Sequence, residues 1–142
     1  MATEAHLKWV DHMSFIGETG SGHAVVLDAK PEFGGRNLGP SPMELVLVGA
    51  GGCTAIDVVS ILKKARQKVE GVEVFLQGER AETVPKVFTK INLHFVVTGH
   101  GVKESAVERA VKLSAEKYCS ATAMLEKSAE ITHSFEVREA DH

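Results

Sequence analysis

One long uncharged segment constrains the fold of this chain more than any other feature. It opens with Ser-Pro-Met-Glu at 41–44, which combines an N-cap hydroxyl, a proline at the first helical position and a glutamate three residues after the cap. Residues 45–56 carry no charge, and apolar residues continue to Leu62 before a basic segment begins. We predict a helix over about residues 42–68, which would be about 40 Å long.

The predicted helix is apolar on nearly every face, so a single small sheet could not cover it. A membrane span is one alternative, but Asp57 interrupts the apolar segment, the uncharged part is too short, and four small residues at 49–52 dilute it. We favour a central helix with the sheet on one side and a second subunit on the other. The sequence therefore predicts an obligate homodimer.

Hydrophobic periodicity predicts strands and helices on both sides of the long helix. The elements are two or three short strands within residues 1–30, a hairpin of two long strands after Gly71, a helix over about 103–118, a short helix over 121–127 and a strand over 131–138. A loop at 30–40 lies within one domain, since neither flanking segment is large enough to hold a core. This order predicts an α+β fold with a mainly antiparallel sheet, in a single domain over residues 1–142.

The charge balance excludes several classes of partner. The chain of 142 residues has 19 acidic and 16 basic residues and a net charge of −3, so we expect neither nucleic acid nor an anionic membrane as a ligand. The first residues lack the cationic start and apolar segment of a signal peptide, which favours a cytoplasmic location. A chain of this length needs no disulfide to fold, so its two cysteines are available for other roles.

Motifs for metal and cofactor chemistry are absent from the sequence. The histidines and the two cysteines lack the spacing of ligand clusters, so we expect no metal site. The glycine patterns at 17–22 and 49–52 miss the dinucleotide spacing, and GxSxG is absent. We therefore expect no cofactor.

Cys53 and Cys119 are the remaining candidates for chemistry. Cys53 lies deep in the apolar helix, where a free cysteine commonly packs as a small hydrophobe. Cys119 lies at a helix junction, where amide dipoles can lower the pKa of a thiol, so Cys119 is predicted to be the more acidic of the two. Packing remains an alternative role for both residues.

Three short motifs resemble one known family. They are Ser-Pro-Met-Glu-Leu at 41–45, Gly-Ala-Gly-Gly-Cys ending at Cys53, and Lys-Tyr-Cys-Ser around Cys119. These motifs, in this order of elements, resemble the OsmC/Ohr family of osmotically inducible and organic hydroperoxide resistance proteins. The runs that follow Cys53 and precede Cys119 are most similar to its YhfA-type branch.

The resemblance implies an intertwined homodimer, with two long central helices between mainly antiparallel sheets and sites at the subunit interface. It also implies thiol-dependent reduction of small organic hydroperoxides, as part of an oxidative-stress response. Cys53 would attack the peroxide and become a sulfenic acid, Cys119 would condense with it to a disulfide, and a dithiol reductant would reset the pair. This chemistry needs neither metal nor flavin.

The family also uses an arginine that stabilises the thiolate and a glutamate that holds the arginine. Arg36 is the only arginine that precedes Cys53, and a solvated loop position is its alternative role. The position of the family glutamate is Met43 in this chain, with Glu44 one residue late. Glu44 would lie about 13 Å along the helix from Cys53 and on the opposite face, so only a neighbouring subunit could bring it to a thiol. A capping-box role explains Glu44 without catalysis.

Two functions therefore remain open. One is a peroxidase with Cys53 as the attacking and Cys119 as the resolving residue. The other is a non-enzymatic dimer of the same fold that binds a small apolar ligand or senses redox state. Met43 in place of the glutamate, and Ser120 where the family has proline after the second cysteine, favour the second.

Overall fold

The computed structural model describes residues 2–141. The chain divides into two compact units, residues 1–46 and 47–142. The elements confirm an α+β fold, with three-stranded sheets in both units and the helices concentrated in the second. That the two units form a single domain stays a prediction.

The first unit is an antiparallel meander of three strands. The strands are β1 (Ala5–Asp11), β2 (Ser14–Thr19) and β3 (Ala24–Asp28), in the order β1-β2-β3. His12 turns the chain between β1 and β2 with a φ of 47°, and Gly22 turns it between β2 and β3 with a φ of 90°. The prediction of two or three short strands is thus confirmed as three.

The loop after β3 is ordered by the buried carboxylate of Asp28. Asp28 Oδ2 accepts hydrogen bonds from the backbone N–H groups of Arg36 at 3.1 Å and Leu38 at 3.2 Å. Burial opposes ionisation of this group, but the backbone donors outweigh it and hold the pKa of Asp28 below its usual value. Gly35 permits the close approach, because a Cβ there would lie 1.6 Å from the carbonyl oxygen of Ala29.

The long helix α1 (Pro42–Lys64) begins where the sequence predicts. The backbone N–H of Ser41 donates to Glu44 Oε1 at 2.9 Å, and the N–H of Glu44 donates to Ser41 Oγ at 3.4 Å, which completes the capping box. The helix ends four residues short of the predicted limit of 68 because Arg66 adopts a left-handed conformation (φ 57°). The chain then enters the second sheet.

The second unit holds a three-stranded sheet in the order β4-β5-β6. The predicted hairpin is β4 (Lys68–Arg80) and β5 (Phe88–His100), and the closing strand is β6 (Glu130–Glu139). β4 pairs antiparallel with β5, whereas β6 runs parallel to β5. The parallel pairing follows from the helical crossover between β5 and β6.

The crossover contains two α-helices joined by a π-helical turn. It consists of α2 (Glu104–Leu113), a π-helical turn (Ser114–Tyr118) and α3 (Ser120–Leu125). The sequence predicted one continuous helix over 103–118, but the last part of that range is π-helical. This turn places the second cysteine at the start of α3.

One side of α1 is buried, and other parts of it are exposed. Its buried residues recur every three or four positions, at Ala50, Gly51, Thr54, Val58 and Leu62. Ile56 is 72% exposed and Val48 is 65% exposed. By length and composition alone α1 could cross a membrane, with a mean hydropathy of 2.1, but a core helix meets the same criterion.

Candidate thiol site

The two cysteines meet in the second unit. Cys53 lies in the middle of α1, and Cys119 lies between the π-helical turn and α3. Both are free thiols, and the Cys53 side chain is close enough to Cys119 to raise the pKa of its thiol. Two neighbouring thiols are candidates for a disulfide, which requires Cα atoms about 4.4–6.8 Å apart.

The backbone around Cys119 fixes the position of its thiol. The N–H of Cys119 donates to the carbonyl oxygen of Ser114 at 2.8 Å and closes the π-helical turn. Cys119 is also the N-cap of α3, since its sulfur accepts a hydrogen bond from the N–H of Thr122 at 3.5 Å. Its side chain is held from both sides of the junction and is only 3% exposed.

Burial is the largest influence on the pKa of the Cys119 thiol. Desolvation raises the pKa of this thiol, and the neighbouring Cys53 raises it further, while the hydrogen bonds from Thr122 act in the opposite direction. The prediction that the helix junction makes Cys119 acidic is therefore wrong. The six-residue helix α3 supplies too few amide dipoles to offset the burial.

The two thiols differ in their access to solvent. In the single chain Cys53 is only partly buried. Cys119 is enclosed. A reagent from solvent would reach Cys53 first, and the neighbouring Cys119 thiol could then react with the modified sulfur.

A buried polar network links α1 to the π-helical turn beside the thiols. Thr54 Oγ1 and Ser114 Oγ are 2.7 Å apart, and Ser114 Oγ donates to Asp57 Oδ2 at 2.9 Å. Thr54 is 1% exposed and Ser114 is fully buried. The sequence reasoning missed this network, although Thr54 and Asp57 are polar residues in an otherwise apolar segment.

An open cavity of about 330 Å³ lies next to this network. Asp57 and Tyr118, each close in sequence to one of the cysteines, line it together with Lys64 and Arg109. Its volume suits a small organic molecule. Sequence reasoning did not indicate this cavity, because its walls come from α1, α2 and the π-helical turn.

The structure gives Arg36 and Glu44 partners of their own in the first unit. The guanidinium of Arg36 pairs with Asp11 on β1. The carboxylate of Glu44 belongs to the capping box, where the backbone N–H and the hydroxyl of Ser41 lower its pKa. A catalytic role of either residue stays a prediction, and these contacts account for both side chains without it.

Within residues 2–141, no group of three or more His, Cys, Asp or Glu side chains could hold a metal ion.

Comparison with known proteins supports the similarity inferred from the motifs. The family model described as OsmC-like protein matches residues 34–134. The chain belongs to the OsmC-like protein family. It is 56% identical to protein YhfA of Escherichia coli K12 over 134 residues, which cover 94% of this chain and 97% of that protein.

Solved structures of other proteins share its fold. A hypothetical protein from Aquifex aeolicus VF5 is 38% identical, with a TM-score of 0.88 over 99% of both chains. An organic hydroperoxide resistance protein OsmC from Legionella pneumophila is 18% identical, with a TM-score of 0.68 over 95% of this chain and 96% of that one. The second likeness extends the shared fold to a protein named for hydroperoxide resistance.

Proposed function

We propose that this OsmC-like protein reduces organic hydroperoxides with Cys53 as the attacking thiol and Cys119 as the resolving thiol. The observation that carries the proposal is that a partly exposed Cys53 neighbours an enclosed Cys119. The name of the Legionella pneumophila protein of the same fold supports the substrate class. Burial of the resolving thiol keeps it from reacting before Cys53 does.

The proposed reaction proceeds in three balanced steps. The Cys53 thiolate attacks the terminal peroxide oxygen, the O–O bond breaks, and the organic fragment leaves as an alcohol after it takes up a proton. The resulting sulfenic acid condenses with the Cys119 thiol, which forms the disulfide and releases water. A dithiol then reduces the disulfide by exchange and is itself oxidised to a disulfide.

The test is turnover of cumene hydroperoxide with dithiothreitol as reductant. We expect loss of peroxide and, before reductant is added, a Cys53–Cys119 disulfide detected by mass spectrometry. Cys53→Ser should abolish turnover, while Cys119→Ser should leave a sulfenic acid on Cys53 that dimedone traps. No peroxide loss, together with no disulfide in the wild-type protein, would overturn the proposal.

We extend the proposal to a cytoplasmic homodimer built on α1. Ile56 and Val48 expose most of their apolar surface in the single chain. A second copy of α1 would bury this surface, and the small residues at 49–52 would let the two helices approach closely. Around Gly49 and Gly52 an added Cβ would meet open space, which leaves room for a partner.

A second candidate function is a dimer that binds a ligand or senses redox state without turnover. It follows from the absence of the family's carboxylate near the start of α1. The family position for a catalytic glutamate holds Met43, and the neighbouring Glu44 is engaged by Ser41. If the wild-type protein is inactive with hydroperoxides, Met43→Glu should restore turnover. Failure of that substitution would show that the missing carboxylate is not the cause.

A further inference from the structure

The buried network of Thr54, Ser114 and Asp57 has a defined direction. The Ser114 hydroxyl has one proton, and it donates that proton to Asp57 Oδ2 at 2.9 Å. The contact of 2.7 Å with Thr54 must then be donated by the Thr54 hydroxyl. The chain of hydrogen bonds runs from Thr54 through Ser114 to the Asp57 carboxylate. It gives the fully buried hydroxyl of Ser114 both a donor and an acceptor.

The network is linked to both cysteines. On α1, Thr54 follows Cys53 directly, and Asp57 lies one helical turn later. Ser114 begins the π-helical turn, and its carbonyl oxygen accepts the N–H of Cys119 at 2.8 Å. Ser114 therefore binds α1 through its side chain and Cys119 through its backbone.

A π-helical turn is rare and is found mostly at functional sites. An ordinary α-helical continuation of α2 would rotate the following residues differently about the helix axis. The hydrogen bonds from α1 fix the start of the turn, so they also fix where the Cys119 sulfur lies relative to Cys53.

We propose that Thr54, Ser114 and Asp57 are positioning residues that hold the π-helical turn so that the Cys119 thiol stays beside Cys53. They act through Cys119, since their side-chain hydrogen bonds join Thr54, Ser114 and Asp57 to one another. The inference deepens the proposed function and rests on it, because it concerns the resolving step of the same thiol pair. Its consequence is a high effective concentration of one thiol toward the other.

The position of Thr54 offers a matched pair of variants. Thr54→Val keeps the shape of the side chain and removes the hydroxyl donor, whereas Thr54→Ser keeps the hydroxyl and removes a methyl group. Ser114→Ala removes the central hydroxyl, and Asp57→Asn removes the charge of the acceptor. If packing alone mattered, Thr54→Ser would be the more damaging change at this buried site.

The experiment equilibrates each protein with mixtures of glutathione and glutathione disulfide and measures the Cys53–Cys119 disulfide by mass spectrometry. Glutathione disulfide is the oxidant, and two molecules of glutathione form for each protein disulfide. We expect Thr54→Val and Ser114→Ala to lower the equilibrium constant for disulfide formation about tenfold, a shift of about 30 mV for a two-electron couple. Thr54→Ser should stay within about twofold of wild type.

Circular dichroism and thermal unfolding identify the variants that remain folded at the temperature of the measurement. If Ser114→Ala unfolds, the comparison of Thr54→Val with Thr54→Ser decides the question. Equal constants for folded wild type and folded Thr54→Val would overturn the inference. Because glutathione disulfide replaces the peroxide, a shifted constant without hydroperoxide turnover would support the positioning role and refute the proposed enzyme activity.

Discussion

The Cys119 thiol neighbours Cys53 of α1, although the two residues lie on opposite sides of the β4–β5 hairpin in the sequence. One thiol of the pair is enclosed and the other is partly open to solvent. In the proposed mechanism this difference in access assigns the attacking role to Cys53 and the resolving role to Cys119, and it leads to predictions that do not depend on the identity of the peroxide.

We expect iodoacetamide to modify Cys53 well before Cys119 at neutral pH. Cys119 is 3% exposed, and burial raises the pKa of its thiol, so little thiolate is present and little of it is accessible. Peptide mass spectrometry at successive times would give the two rates. In Cys53→Ala, Cys119 should remain slow because burial persists. Rapid modification of Cys119 in that folded variant would contradict the prediction.

Replacement of Ile56 by glutamate should separate a dimer into monomers. Ile56 is 72% exposed in the single chain, so Ile56→Glu should not disturb its core, but it would place a charge inside an α1–α1 interface. Sedimentation at micromolar concentration should show a wild-type dimer and a monomeric or unfolded variant. Ser105→Glu, an equal change of charge at an exposed position on α2, should remain dimeric. A monomeric wild-type protein would refute the homodimer.

The capping box predicts different changes in unfolding free energy for substitutions at its two residues. Ser41→Ala should cost about 1 kcal/mol of unfolding free energy, because it removes the acceptor of the Glu44 N–H. Glu44→Gln should cost little, since glutamine can also accept from the N–H of Ser41. Urea unfolding measures both values. If Glu44→Gln abolishes peroxide turnover without loss of stability, the side chain acts at the thiol site as well as in the cap.

His133 on β6 should make the protein less stable in mildly acidic solution. Its ring stacks on Phe95 at 6.2 Å, Nε2 has no hydrogen-bond partner, and burial lowers its pKa from 6.5. The unfolded state then binds a proton more readily than the folded state, so stability falls as the pH drops through 6.5 toward the lower folded pKa.

The control for this prediction is His133→Phe, which keeps an aromatic ring against Phe95 and cannot ionise. Urea midpoints at pH 7.5 and 5.5 should differ more for the wild type than for His133→Phe. Asp28, Glu44 and Glu136, whose pKa values lie below 3.8, 4.5 and 4.5 respectively, titrate below this range. An equal change of midpoint in both proteins would exclude His133 as the source.

Much of the fold could be predicted because it depends on local interactions. The start of α1 follows from the hydroxyl of Ser41 and the carboxylate of Glu44, which bond to backbone groups within one turn. The alternating apolar residues of β5, such as Leu93 and Phe95, are fully buried as their period of two requires. Family motifs around Cys53 and Cys119 indicated the pair as the site, and the structure brings the two together.

Other features depend on contacts between distant parts of the chain. The π-helical turn replaces the predicted end of α2 where Ser114 meets Thr54 and Asp57 of α1. Neither segment alone encodes that contact. The parallel register of β6 with β5 likewise becomes defined only after the crossover has packed.

The sequence by itself determined where most helices and strands form, which family the chain belongs to, and which two cysteines are the candidates for thiol chemistry. Only the tertiary structure decided how those sulfur atoms behave. At the helix junction, local amide dipoles favour an acidic Cys119, but packing removes the thiol from water. The desolvation free energy of a thiolate in that enclosed site exceeds the stabilisation that one short helix provides.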